Sequence, residues 1–231
     1  MELEETSFST VTPQELLGRP LNDVETKFAP KRLYIVGPLE IPLPRRRVSI
    51  VGSRKASSNG IKTASGIAKS LVNRDVTIVS GLAEGIDTAA HESAISAGGK
   101  TVAVLGTPLN KVFPAKNFDL QQRIMCNHLA ISQFPIGHQT YPGDFITRNR
   151  TMALIADATI IVEAGEGSGS HHQGWEALRL GRPLFIWTTI VNDRNLKWPV
   201  KMLDYGAIEL ADADDVLEIL PSSAEMLNVF Q

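Results

Sequence analysis

From Arg47 onward the chain alternates short runs of aliphatic, often β-branched residues with longer segments whose apolar positions recur every three or four residues. The short runs predict strands at Val48 to Val51, Val76 to Val79, Thr101 to Leu105, Leu129 to Gln133, Ala158 to Val162 and Pro183 to Trp187. Between them the spacing predicts a helix from about Asn59 to Asn73, with Ile61, Ala64, Ile67, Ala68 and Leu71 on one face. A second runs from about Ile86 to Ala97 and stops at Gly98-Gly99, where a left-handed cap is cheap. Further helices are expected near Phe118 to Cys126, from about Phe145 to Ile155, and from about His172 to Leu180, the last ended by Gly181. Strands this uniformly apolar must be covered on both faces, so the fold class is α/β: a Rossmann-like, doubly wound, mostly parallel sheet in a single domain. Arg32 to Val36 adds a candidate strand before it, and Trp198 to Leu220 reads as a small helix, a strand at Ala207 to Leu210 and a helix opened by Asp212 or Asp214. Residues 1–30 show no clear period and are expected to form an acidic N-terminal arm, with the Rossmann domain over 31–220 and a tail over 221–231.

Composition narrows the class. A chain of 231 residues, 43% hydrophobic and 21% charged, is long and apolar enough to bury a core, which excludes disorder throughout. An aromatic content of 6% is low for an all-β sandwich. The single cysteine, Cys126, makes no internal disulfide, the first residues lack the basic and apolar regions of a signal peptide, and no apolar run approaches the roughly 18 residues that cross a bilayer. These readings predict a soluble, cytoplasmic protein with no membrane contact. The net charge of −2 conceals its distribution. Residues 1–26 hold six acids and one base, residues 202–231 hold seven acids and no base, and the body between them carries 22 bases against 12 acids. A basic body suits a phosphate-bearing partner, although the same residues scattered over a surface serve solvation equally well.

Position discriminates better than totals. In an open parallel sheet, ligands bind beyond the carboxyl ends of the strands, where loops run into helix N-termini. Four such loops are rich in glycine and small hydroxyls: Gly52-Ser53-Arg54 onward, Ser80-Gly81 through Gly85-Ile86-Asp87, Gly106-Thr107-Pro108, and Gly165 through Ser168-Gly169-Ser170. Several such turns along one sheet edge point to an anion site. The usual nucleotide signatures fail, because Gly52-Ser53-Arg54 is not GxGxxG, and Gly98-Gly99-Lys100-Thr101 lacks the earlier P-loop glycine and leads into a strand. No GxSxG elbow occurs. Asp87 and His91 share a helix face and His171-His172 are adjacent, but no third ligand is spaced for zinc; Asp87 is expected to pin the loop above it and His91 to be a satisfied helix histidine. Arg148-Asn149-Arg150, read at the start of a helix, places cations against the helix dipole, an arrangement that calls for an anion. Phe113, Lys116 and Asn117 supply an aromatic face, a cation and an amide near the same edge, the combination that holds single strands. Arg45-Arg46-Arg47 falls at the opposite end of the sheet and outside the site.

These residues match a known pattern. Gly52-Ser53-Arg54, the run from Ser80-Gly81-Leu82-Ala83-Glu84-Gly85-Ile86-Asp87 to His91, Phe113-Pro114 with Asn117, Arg148-Asn149-Arg150 and Ser168-Gly169-Ser170 closely resemble the DNA-processing protein A (DprA/Smf) family, over roughly Leu33 to Leu220. The resemblance implies an extended Rossmann fold that binds single-stranded DNA, needs no cofactor or metal, forms homodimers and loads the RecA recombinase during natural transformation. It places the DNA contacts on Gly52, Ser53, Arg54, the Ser80-Gly81 turn, Arg148 and Arg150. The family's lysine after the YP motif is displaced, with Ala115 in its slot and Lys116 next. Ser170-His171-His172-Gln173-Gly174-Trp175 and Trp187-Thr188-Thr189 depart from the family's usual SGSLxTA and proline-glycine. With a core lacking the family's usual extra domains, these changes suit either DNA recombination or a phage-defence or regulatory role with an operon-encoded partner. A second reading is nucleotide binding or N-glycosidic hydrolysis of a nucleoside monophosphate, as in the similar Lonely Guy fold. There a catalytic glutamate follows the glycine-rich turn; here the third residue after Ser170 is Gln173, with Glu163 and Glu176 out of register.

Overall fold

The computed structural model describes residues 8–220, so the expected tail over 221–231 lies outside the described residues. The chain runs β1 (Ser9–Val11), α1 (Pro13–Leu17), α2 (Asp23–Phe28), β2 (Leu33–Val36), β3 (Arg47–Gly52), α3 (Ser58–Val72), β4 (Thr77–Ser80), α4 (Ile86–Ser96) and β5 (Thr101–Leu105). A short 3₁₀ turn at Ala115–Asn117 leads into α5 (Phe118–Asn127), β6 (Leu129–Ser132), α6 (Pro142–Ile155), β7 (Ala158–Glu163), α7 (Ser170–Arg179) and β8 (Leu184–Trp187). Then come α8 (Thr188–Val191), α9 (Trp198–Asp204), β9 (Ile208–Leu210) and α10 (Asp215–Ile219). No helix among the described residues is long and apolar enough to cross a membrane.

All nine strands join one sheet in the order β1-β2-β6-β5-β4-β3-β7-β8-β9. From β6 to β9 every pairing is parallel, and β2 adds antiparallel to β6. From β3 the chain winds outward through β4, β5 and β6, then restarts on the other side with β7, β8 and β9. The crevice between the carboxyl ends of β3 and β7 is therefore the topological switch point, where the loops diverge and leave room for a ligand. The β3–β7 ladder also slips by one residue: Val51 pairs with Ile161 but Gly52 with Glu163, leaving Val162 as a bulge.

Alternation of the buried strands loads both faces. Val48, Ile50, Ile160 and Val162 pack under α3 and α4 with Ile67, Leu71 and Ala90, whereas Val51, Val102, Val104 and Ile161 pack under α6 and α7 with Met152 and Ala177. Both faces being covered explains why the strands read as unbroken apolar runs.

Over residues 8–30 the chain is packed onto the sheet instead of forming the expected arm, while residues 1–7 lie outside the described residues. β1 pairs with β2 as an edge strand, and Leu16 of α1 is fully buried in the main core. Both short helices open with a capping box, Thr12 with Glu15 and Asn22 with Glu25, which were legible in the chain although five- and six-residue helices carry no measurable period. Glu25 is buried and pairs with Arg19 at 2.6 Å and Arg182 at 2.8 Å. Burial alone would raise the Glu25 carboxyl, but the Arg19 fork and the capping amide outweigh it and hold it below the ordinary range. Arg182 leads on to Asp157 at 3.9 Å, and Asp157 to Arg47 at 2.8 Å. This chain of charges closes the amino end of β3, β7 and β8, far from the switch point, and accounts for Arg47 at 2% exposure.

Asp157 also accepts a hydrogen bond from the Arg47 backbone at 2.9 Å, so its loss strands a buried guanidinium. Asp157→Ala is expected to lower unfolding stability by about 3 kcal/mol, read from urea denaturation midpoints. A loss below about 1 kcal/mol would mean that solvent already screens the network.

Candidate nucleic-acid interface

The loop after β3 is built from close approaches. A Cβ on Gly52 would lie 2.6 Å from the Ile86 side chain and 2.7 Å from the Glu163 carbonyl, and one on Gly85, whose φ is +76°, would lie 2.2 Å from the Ser53 carbonyl. The Ser53 amide donates to the Glu163 carbonyl at 2.6 Å and the Ile86 amide to the Ser53 carbonyl at 3.2 Å. Three loops are thus locked to one another through backbone. The N-terminus of α3, where a Rossmann phosphate is usually held, is already filled: Glu163 accepts from the Ser57 amide at 2.9 Å and from its hydroxyl at 2.5 Å, and its carboxylate fills the space a Gly60 side chain would need.

The loop after β4 is shaped from below. Asp87 accepts from the amides of Gly81 at 3.1 Å and Ala83 at 3.3 Å, as expected of a residue that pins this turn. Leu82 is held buried at φ +57°, a backbone strain that the surrounding bonds must offset. Burial raises the Asp87 carboxyl, while the Arg148 charge and the two amides oppose the shift.

Helix α6 supplies the cavity's long wall. Pro142 at its first turn and Asp144, which accepts from the Tyr141 amide at 2.8 Å, start it three residues before the expected Phe145. Arg148 therefore lies inside the helix, which corrects its expected place among cations opposing the dipole at a helix start. Instead Phe145, Arg148, Asn149 and Met152, spaced i, i+3, i+4 and i+7, form a stripe facing a cavity of about 940 Å³. Arg148, 5% exposed, donates through Nη1 to the carbonyls of Gly81 at 2.5 Å and Val104 at 2.7 Å, and through Nε to Asn149 Oδ1 at 3.0 Å. Asn149 then donates to the Gly169 carbonyl at 3.2 Å, joining α6 to the start of α7, where the Ser168 and Ser170 hydroxyls lie 2.7 Å apart. Opposite, Arg54 is exposed and sits over the Phe145 ring at 5.7 Å, and Phe145 meets Phe113 at 5.1 Å between centroids. Arg54 forms no ion pair among the described residues.

Residues 17–221 match the model of the family described as DNA recombination-mediator protein A. The chain belongs to that family. Among its relatives, DNA processing protein DprA of Streptococcus pneumoniae (strain ATCC BAA-255 / R6) is 37% identical over 189 residues, covering 82% of this chain and 66% of the relative. The chain thus spans just under two thirds of that relative's length. The X-ray structure of DNA processing protein A from Streptococcus pneumoniae superposes with a TM-score of 0.78 at 32% identity, covering 94% of this chain and 75% of that one. A structure of DNA processing protein A from Helicobacter pylori, described for its single-stranded DNA binding mode, superposes with a TM-score of 0.75 at 26% identity, over 93% of this chain and 95% of that one.

In this recombination-mediator fold the expected site residues divide into three groups. Gly52, Ser53, Arg54, Phe113, Arg148, Asn149, Ser168, Gly169 and Ser170 converge on the large cavity, and Gly81 borders a smaller one beside it. Ser80, Gly85 and Asn117 shape the loops from behind. Ser80 is fully buried and donates to the Ile50 carbonyl, and Asn117 is buried with its amide on the Leu82 carbonyl and Thr88. The idea of Asn117 as a free amide at the edge is thereby corrected. Lys116 and Arg150 do not line the cavity: Lys116 pairs with Glu84 at 2.5 Å and Arg150 with Glu176 at 3.1 Å, on a side of α6 turned from the stripe. Sequence reasoning passed over Phe145 as a contact, although its position three before Arg148 was the available signal, and missed Lys55 and Tyr141 at the cavity's mouth.

Two further expectations concern buried or acidic groups. Gln173 is fully buried against Thr159, Glu163 caps α3, and Glu176 is engaged by Arg150 and Arg179. Of these three, Gln173 alone reaches the cavity lining, and neither glutamate does. His91, fully buried, has Nδ1 2.7 Å from the Thr101 hydroxyl, which itself donates to the Ile78 carbonyl; Nδ1 must therefore carry the proton.

Burial, with the charges of His128 and Arg148, pushes His91 down to about 3. The unfolded chain takes up this proton first, so the stability that neutral His91 contributes is complete above its ordinary value of 6.5 and lost as pH falls toward 3. Between pH 7 and pH 5 the native protein should lose about 2 kcal/mol more stability than His91→Gln, measured by urea unfolding at both pH values. Equal losses in the two proteins would place the acid sensitivity elsewhere.

Proposed function

We propose that the chain binds single-stranded DNA at the switch-point cavity and serves DNA processing and recombination. The observation that carries this reading is the juxtaposition of Arg54, which has no ion pair among the described residues, with the Phe113–Phe145 aromatic pair over a floor containing the buried Arg148 guanidinium. A cation and a stacking face together accept any base without reading its edges, while duplex DNA hides its base faces. The single-stranded DNA binding mode described for the Helicobacter pylori neighbour, which spans nearly the same length, supports the choice of a single strand. In this reading Arg54, Lys55 and Arg148 neutralise phosphates, Phe113 and Phe145 stack bases, and the turns at Gly52-Ser53 and Ser168-Gly169-Ser170 present hydroxyls to the backbone. The family's description as a recombination mediator supports handing the bound strand to a RecA-type recombinase. A homodimer is proposed through the open edge of the sheet at β9, where Ile208 and neighbouring Tyr205 are exposed. An exposed, unpaired thiol at Cys126 fits a cytoplasmic location. No bond is made or broken in this reading.

Fluorescence anisotropy with labelled oligo-dT tests it. Arg54→Ala is expected to weaken binding about tenfold and to reduce the slope of log affinity against log salt by about 0.7, whereas Lys116→Ala and Arg150→Ala change affinity by less than about threefold. Unchanged binding in Arg54→Ala, or preference for duplex over single strand, overturns the proposal. Incubation with AMP is expected to release no adenine; release would establish the hydrolytic alternative.

A further inference from the structure

We infer that the switch-point cavity seats one entire 5′-nucleoside monophosphate, so that a free mononucleotide binds there and competes with a DNA strand. This deepens the single-stranded DNA reading and rests on it. At about 940 Å³ this cavity has the size of a small-molecule site.

The stripe on α6 gives the cavity a polarity matching a nucleotide. Phe145 and Arg148 are three residues apart, about 4.5 Å along the helix axis, so a stacking face and a fixed cation stand one turn apart on one wall. At the cation end, Arg148 spends Nε and Nη1 on Asn149, Gly81 and Val104, and its Nη2 has no partner among the described residues. Arg148 lines the cavity, so Nη2 is the donor left for a ligand. Asn149 ties the same guanidinium to Gly169, so it stands beside the first turn of α7 and the Ser168 and Ser170 hydroxyls. A guanidinium and two hydroxyls suit a terminal phosphomonoester, which carries nearly two negative charges against one for a diester.

Two acids line the wall: Asp87, buried, accepts from two amides, and Glu166, exposed, accepts from the Lys197 amide at 2.6 Å, while Glu163 faces α3 outside the cavity. At the other end, Phe145 is backed by Gly106, where a Cβ would lie 2.5 Å from the ring, and flanked by Phe113 and Arg54. The ring is thus held in place by Gly106, Phe113 and Arg54, and a base would stack there by displacing Arg54 from the ring.

The experiment displaces labelled oligo-dT from the full chain with dTMP, thymidine or inorganic phosphate at matched ionic strength. Millimolar dTMP is expected to displace the strand at least about tenfold more effectively than either fragment, because stacking and phosphate contacts then act together. Phe145→Leu should weaken dTMP at least about fivefold and leave inorganic phosphate unchanged. If the oligonucleotide binds but dTMP displaces no more than its fragments do, the inference is overturned and the DNA reading stands. If the oligonucleotide does not bind, calorimetry with dTMP alone decides: saturable heat upholds the nucleotide site and removes the DNA reading, and no heat removes both.

Discussion

One guanidinium, that of Arg148, holds the functional end of the molecule together. Buried in the body of α6, it takes two carbonyls that belong to different strand ends, Gly81 after β4 and Val104 in β5, and a side-chain amide on its own helix. A buried charge without partners is expensive enough that the surrounding backbone must converge on it, and this convergence sets where three loops run. Gly81 is required because any side chain there would collide with the guanidinium, at 2.2 Å. Asp87, beneath the same turn, balances the charge and orders the two amides that the carbonyls leave behind. Loop shape at this edge thus follows from the solvation of a single ion by protein groups.

That arrangement divides the site's cations by mobility. Arg148 is immobilised before any ligand arrives, so its contribution costs little ordering entropy, while Arg54 rests on an aromatic ring at the mouth and is free to follow a phosphate. Lys116 and Arg150, off the cavity, already have carboxylate partners, and an anionic ligand must compete for them. The distribution explains how a chain with a net charge of −2 presents a positive cavity: the deciding charges are those whose counterions have been withheld.

The architecture was largely legible in the chain. Each predicted strand from Val48 to Trp187 lies within a residue or two of the observed one, because burial on both faces leaves an apolar run that little else produces. The convergence of the Gly52, Gly81 and Ser168 loops followed from their places after parallel strands. What escaped depended on distant partners. Nothing near Arg148 signals that carbonyls 67 and 44 residues away will take its protons, or that Glu176, 26 residues on, will take Arg150. The N-terminal segment failed differently: its helices are too short for periodicity, and their capping boxes were the one local mark of order. In the start of α6, Pro142 and Asp144 were readable, and weighting them over the later apolar residues would have placed Arg148 in the interior.

The bulge at Val162 has an outcome for the cavity. Strict alternation along β7, with Ile161 toward α6 and α7 and Val162 toward α3, would aim the next side chain, Glu163, at the ligand's side of the sheet. The one-residue slip against β3 rotates it onto Ser57 instead. A single extra residue in a ladder therefore acts as a selector of polarity: it exports an anion from the cavity and turns it into the cap of a neighbouring helix, so that the cavity's charge and the anchoring of α3 are inherited together.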